Sequence, residues 1–245
     1  MGISVMTQNI KQVHNIAIIP ARGGSKRIPK KNTKEFLGKP IIAYSIEAAI
    51  NSNLFDEVMV STDDEEISVI SKKYNAKVPF LRTKSTSDDF STTSDVLVEV
   101  LSRYEEMDKK FDYICCIYAT APFVTPQKLF KSYELIYNGK ADSVFPVVKF
   151  GYPIQRAVRL LSNNRMEYIW DENINKRSQD LEPAYHDVGQ FYWINGKSFS
   201  ISHSIISENS FCIEIPEFEE QDIDTANDWL LAEQKYKYLK EKGFL

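Results

Sequence analysis

Short apolar runs and longer helical stripes take turns along this chain. Residues 16–20 (IAIIP) form an uninterrupted apolar run that stops at Ala21. A run without polar positions predicts a strand buried on both faces. Ile42, Ile46, Ala49 and Ile50 then recur at helical spacing, with Pro40 placed for a first helical turn, where its missing N–H is tolerated. Residues 56–61 (DEVMVS) predict a second strand, and 63–74 a helix with acids near its start, where the helix dipole favours them. A short strand is expected at 77–81, a polar connection at 82–92, and a helix at 93–107 carried by Val96, Val100 and Tyr104. Residues 112–118 are the most apolar strand and are expected at the sheet centre; a helix at 125–137 and a strand at 143–149 follow. This strand–helix alternation predicts an α/β fold, a mostly parallel, doubly wound sheet.

The alternation breaks over residues 151–185, which are mixed in polarity and predict an insertion of short strands, a flap or dimerisation arm. Strands return at 189–194 (GQFYWI) and 211–215, and a helix at 224–240 closes the chain. The reading is one domain over 16–245, with residues 1–15 as a disordered N-terminal extension. That extension is polar and has no apolar core of the kind a signal peptide carries. Across 245 residues, 43% hydrophobic and 26% charged positions fit a water-soluble globular chain. No apolar stretch approaches the ~20 residues that span a bilayer. Cys115, Cys116 and Cys212 lie inside apolar runs without metal-ligand spacing and are expected as buried, reduced thiols in a cytoplasmic protein.

In doubly wound sheets ligands bind at the carboxyl ends of strands. Those ends are polar here: Arg22 after the first strand, Ser61-Thr62-Asp63 after the second, and Thr120 after the central one. After Ala21 the adjacent Gly23 and Gly24 are surrounded by Arg22, Ser25, Lys26, Arg27, Lys30 and Lys31. Glycine lets a backbone approach a ligand closely, and its N–H groups together with flanking cations make an anion trap. The loop matches neither the P-loop spacing nor the dinucleotide fingerprint. A solvated basic turn is the plainer alternative. With a net charge of −4 the basic residues are a local feature, which points to a small anion and away from nucleic acid.

Asp222-Ile223-Asp224-Thr225 precedes the last helix. Carboxylates at i and i+2 of an extended segment share a side and suit one hard cation such as Mg²⁺, which completes its shell with phosphate oxygens and water. Alternatively, Asp224 caps the helix.

Several of these pieces together resemble the acylneuraminate cytidylyltransferases, which activate nine-carbon acidic sugars as CMP derivatives. They are Pro20-Ala21-Arg22, Ser25-Lys26, Lys31-Asn32, residues 37–40 (LGKP), residues 60–63 (VSTD), Arg82, Thr120 with Pro122, and residues 222–225 (DIDT). Residues 185–193 (YHDVGQFYW) and Tyr118 resemble the branch that activates pseudaminic acid more than the sialate-activating enzymes. The resemblance implies a Rossmann-like nucleotidyltransferase fold, CTP and a 2-keto sugar acid as substrates, Mg²⁺, and a homodimer. It further implies that Ala21, Arg22, Asn32, Arg82, Ser91 and Thr93 hold the nucleoside, and that Gly23, Gly24, Ser25, Lys26 and Lys31 hold the phosphates. Asp222 and Asp224 would bind the metal, and Tyr118, Thr120, His186, Asp187, Gln190 and Phe191 would face the sugar. Arg22, Lys26, Lys31 and Asp222 are the implied catalytic residues. Legionaminic or sialic acid as substrate, and a non-catalytic nucleotide sensor, are the alternatives.

Overall fold

The computed structural model describes residues 13–88, 90–139 and 141–245. The extension expected at 1–15 falls mostly outside the described residues. Its last part is corrected: Asn15 opens the first strand, and His14 is tied to Asp112 through a backbone N–H to Oδ2 bond of 3.0 Å.

In chain order the elements begin with β1 (Asn15–Pro20), the small hairpin β2 (Glu35–Phe36) and β3 (Lys39–Pro40), α1 (Ile41–Ser52) and β4 (Glu57–Ser61). Then come α2 (Glu65–Lys73), α3 (Thr93–Glu105), β5 (Tyr113–Ile117), α4 (Pro126–Tyr137) and β6 (Ser143–Lys149). The third part holds β7 (Val158–Leu160), β8 (Met166–Tyr168), β9 (Tyr185–Asp187), β10 (Phe191–Asn195), α5 (Gly196–Ser202), β11 (Ser210–Glu214) and α6 (Ala226–Glu241).

The central sheet runs β11-β6-β10-β5-β1-β4. The pairs β1–β4, β1–β5 and β6–β11 are parallel, whereas β10 is antiparallel to both β5 and β6. β9 extends the β10 side of β6, offset from β10 by a kink at Gly189, whose φ is +58°. β1 and β5 have almost no exposed surface, as their apolar runs require. One face packs Ile42, Ile46, Leu129 and Ile136 of α1 and α4 against the sheet. The other packs Val96, Leu97 and Val100 of α3 with Phe199 of α5. A third cluster joins Phe36 and Tyr44 to Trp229 and Leu239 of α6, and Ile223 lies within it.

Several expectations need correction. Residues 77–81 form no strand beyond a single bridge, Met59 to Lys77, because Pro79 lacks the N–H that would continue the pairing with β4. Pro40 caps α1 from outside the helix rather than joining its first turn. Cys115 and Cys116 are buried, and burial pushes the Cys116 thiol up to about 12. Cys212 is exposed, because edge strand β11 points Ile213 inward and its neighbours out. Residues 151–185 do hold short strands, the β7–β8 hairpin, among several single turns.

The sheet edge opposite the ligand end carries a buried carboxylate. Glu57 is 5% exposed and accepts from Tyr104 Oη at 2.5 Å, Lys109 Nζ at 3.0 Å and Lys77 Nζ at 3.1 Å. Burial pushes this carboxyl up, yet the three donors outweigh it and hold it below its usual value. A depressed folded pKa stabilises the fold above the unfolded value and loses that contribution as pH falls through the folded one. Glu57→Gln is therefore expected to lower stability at neutral pH by about 1–3 kcal/mol, the penalty for disrupting a buried charged hydrogen-bond set. Its melting temperature should also fall less than the parent's as pH drops below ~4. Parallel melting curves for the two proteins from pH 7 to 3 would contradict this assignment.

Candidate active site

The loop after β1 is built by hydrogen bonds from several elements. Ala21 N donates to Ser61 O at 2.9 Å, which holds the end of β1 beside the end of β4. Gly23 N donates to Asp63 Oδ1 at 2.9 Å, and Asn32 Nδ2 to Arg22 O at 2.9 Å, closing the loop on itself. A Cβ on Gly23 would sit 2.7 Å from Asp64 Oδ2, so the chain can pass the start of α2 only as glycine. Gly24 meets nothing within 4 Å and leaves an open face. Neither glycine has a positive φ, so close approach to Asp64 explains Gly23, and nothing in the packing requires glycine at position 24.

The loop's cations converge with the segment before α6. A cleft of about 190 Å³ is lined by Pro20, Arg22, Ser25, Lys26, Arg27, Ile28, Lys31, Asn32 and Asp224. Arg27 Nη1 meets Asp224 Oδ2 at 2.7 Å; Lys31 Nζ donates to Ile223 O at 2.7 Å and lies 3.4 Å from Asp224 Oδ1. Lys26 is exposed at the rim. The helix is capped by Thr225, which forms a capping box with Asp228. Asp224 is thereby relieved of the capping role and turned to the loop.

The residues expected on the nucleoside side lie on the next strand end. Arg82 is 9% exposed and donates to Ser61 O at 2.6 Å and Ser61 Oγ at 3.2 Å. Burial pushes its guanidinium down, opposed by Asp63 and Glu99. Ser91 Oγ donates to Asp88 Oδ1 at 2.6 Å, while Arg22 Nη1 donates to Asp88 O at 2.9 Å, which ties residues 82–92 to the loop. Thr93 Oγ1 lies 3.2 Å from Tyr118 Oη.

Beyond Tyr118 lies the other group of expected contacts. Tyr118 N donates to Gln190 O at 2.9 Å, and its ring lies 5.6 Å from that of Tyr192. Burial raises the Tyr118 phenol, which keeps it a hydrogen-bond donor. Asp187 accepts from Tyr192 Oη at 2.6 Å and from Gly189 N at 2.8 Å. His186 keeps its Nδ1 2.9 Å from Asp187 O and its ring 4.8 Å from Phe150. Thr120 is half-buried in the turn after β5. Two placements correct the expected sugar face. Phe191 is wholly buried in the core, and the Gln190 side chain is buried with Nε2 donating to Glu219 O at 2.7 Å. Strand alternation decides this: Phe191 points into the α1–α4 layer. Sequence reasoning missed the structural parts played by Asp63, Asp88 and Tyr192. The DxxS spacing of Asp88 and Ser91 was the readable signal for one of them.

The carboxylates fit a hard cation in part. Ile223 is 1% exposed, which turns Asp222 and Asp224 to the opposite side of the segment. Asp222 is exposed, and no hydrogen bond or ion pair reaches its carboxylate among the described residues. It does not line the cleft that Asp224 enters. No group of three or more His, Cys, Asp or Glu is arranged to hold a metal among the described residues. A cation here would take at most two carboxylates and complete its shell from phosphates and water, as Mg²⁺ typically does.

Comparison with known proteins follows the same lines. Residues 16–242 match the family described as Cytidylyltransferase. Over 231 residues, 94% of this chain and 99% of the relative, it is 44% identical to a pseudaminic acid cytidylyltransferase of Campylobacter jejuni subsp. jejuni serotype O:2. A CMP-N,N'-diacetyllegionaminic acid synthase of Legionella pneumophila is 32% identical over 89% of this chain and 94% of its own length. Among solved structures, a CMP:2-keto-3-deoxy-manno-octonic acid synthetase complexed with CTP superimposes with TM-score 0.65 at 18% identity, covering 93% of this chain and 99% of that one. This likeness, at such low identity, shows the fold.

The two possible helix caps separate experimentally. Thr225→Ala is expected to destabilise the protein by about 1 kcal/mol, the usual worth of an N-cap. Asp224→Asn should change stability by under ~1 kcal/mol, since it disturbs only partly exposed ion pairs. Thermal melts that reverse this order would return the capping role to Asp224.

Proposed function

This chain belongs to the cytidylyltransferase family, and we propose that it joins CTP to pseudaminic acid, giving CMP-pseudaminic acid and pyrophosphate. The observation that carries the chemistry is the cleft in which the basic loop faces Asp224. The sugar assignment is supported by the 44% identity to the Campylobacter enzyme.

The step is a displacement at phosphorus. The anomeric hydroxyl oxygen of the sugar bonds to the α-phosphorus, the bond to the bridging oxygen breaks, and pyrophosphate departs with that electron pair. The hydroxyl proton leaves to solvent water. Arg22, Lys26 and Lys31 hold the triphosphate and stabilise the charge that grows on the leaving group, the largest lever in such transfers. Gly23, Gly24 and Ser25 line the phosphate path. Ala21, Asn32, Arg82, Ser91 and Thr93 hold cytosine and ribose. On the sugar side Tyr118, Thr120, His186 and Asp187 offer hydroxyl, imidazole and carboxylate groups. Asp222 and Asp224 would hold Mg²⁺, which when bound supplies charge neutralisation for the phosphates.

The protein is further proposed to act in the cytoplasm as a homodimer. Exposed apolar residues concentrated on residues 151–185, among them Leu160 at 79%, Tyr152 at 62% and Met166 at 52% exposure, support an intersubunit arm.

Pyrophosphate release with CTP, Mg²⁺ and a panel of nine-carbon 2-keto sugar acids tests the proposal, with turnover expected for pseudaminic acid above the others. Turnover with legionaminic or sialic acid instead would retain the chemistry and overturn the sugar. Silence from folded protein that binds CTP would leave a nucleotide sensor. Lys31→Ala is expected to lower kcat about 10²-fold, the usual loss of one donor to a developing charge. A change confined to KM for CTP would show that Lys31 binds ground and transition states alike.

A further inference from the structure

Lys128 is an unexpected residue for its place. It lies in the first turn of α4, where a cation opposes the helix dipole. Its residue surface is only 8% exposed, and removing an ammonium from water is unfavourable without compensation. Burial accordingly pushes its amine down, with Glu219 pulling the other way. An apolar side chain would serve α4 better on both grounds, so the fold of the helix does not account for a lysine.

Its partners do. Lys128 Nζ donates to Phe123 O at 2.8 Å, in the turn after β5, and lies 2.8 Å from Glu219 Oε2. Glu219 sits three residues before Asp222 on the segment between β11 and α6. Its carbonyl accepts the buried Gln190 amide at 2.7 Å, and Gln190 O in turn accepts Tyr118 N at 2.9 Å. Gln190 Oε1 is buried and has no hydrogen-bond partner among the described residues. The far end of the segment is tied to the basic loop by Lys31 on Ile223 O at 2.7 Å. Lys128 therefore anchors the other end.

We propose that Lys128 is a positioning residue for the transfer reaction: through Glu219 it fixes the segment that presents Asp222 and Asp224, and with it the Gln190–Tyr118 connection on the sugar side. The proposal rests on the transferase reading above for its kinetic consequence and on geometry alone for its structural one. Removing the ammonium frees one end of the segment while the basic loop keeps its own bonds.

The experiment compares Lys128→Met with the parent as full-length protein, by amide exchange without ligand and by kinetics with CTP, Mg²⁺ and the accepted sugar acid. Faster exchange confined to residues 216–225 and 188–191 is expected. So is a kcat lowered about 10–100-fold, the range for residues that orient those holding a metal. The Mg²⁺ concentration for half-maximal rate should rise, with KM for CTP within about twofold, because the loop that holds CTP is unchanged. Glu219→Gln, which keeps the backbone bond to Gln190, should show the same pattern at smaller amplitude, and it decides the matter if Lys128→Met does not fold. Unchanged exchange and kcat in a folded variant overturn the proposal, as does an increase in exchange spread evenly over the chain. A parent protein without turnover refutes the transferase reading, and the exchange measurement then still judges the anchor.

Discussion

Mutual repulsion among the cations after β1 is the constraint on which the rest of the site depends. Arg22, Lys26, Arg27, Lys30 and Lys31 fall within ten residues, and such a run does not hold a compact loop by itself. Each anchoring bond comes from a different part of the fold: Glu66 of α2 at 2.5 Å from Lys30, Asp224 before α6 at 2.7 Å from Arg27, and the Asp88 carbonyl at 2.9 Å from Arg22. Asp63 takes the Gly23 amide. The loop is consequently a product of the whole tertiary structure, although it is one continuous stretch of chain.

The strands could be read from the sequence because their faces are both covered. β1 and β5 are buried along their length, so their apolar runs are unbroken and easily recognised. Helices with a striped face, such as α1 and α3, could be read for the same reason. α5 could not: Phe199 is its one buried residue, and its start is set by Asn195 accepting from the amides of Lys197 and Ser198. β9 was missed because its pairing with β6 ends at the Gly189 kink, which breaks the alternation that marks a strand. The strand expected at 77–81 failed because Pro79 removes the backbone donor that would extend the bridge at Lys77 into a ladder.

The candidate site divides in the same way. The basic residues of the loop and the pair Asp222 and Asp224 were legible as chemistry, since like charges packed together need a purpose. Their meeting across more than 190 residues was not legible, because no local pattern records which loop faces which. The capping question turned on one position: Thr225 and Asp228 have the spacing of a capping box, which was visible in the chain and outranks a lone aspartate at its edge. Phe191 and Gln190 show the limit of carrying a motif as a block. Consecutive strand residues face opposite ways, and Phe191 belongs to the core.

Asp224 now has a second consequence. It neutralises Arg27 and lies beside Lys31, the same cations that a triphosphate would engage. An anion that draws Arg27 and Lys31 to itself leaves the Asp224 carboxylate partly buried and short of counter-charge, which is unfavourable. A cation arriving with the anion removes that penalty, so the two are thermodynamically linked: each raises the affinity for the other by the same factor. On the proposed binding of a triphosphate in this cleft, the arrangement would disfavour a bare polyphosphate and favour one accompanied by a divalent ion. On that proposal the ion pair between the loop and the segment before α6 stands where the substrate's phosphates would bind.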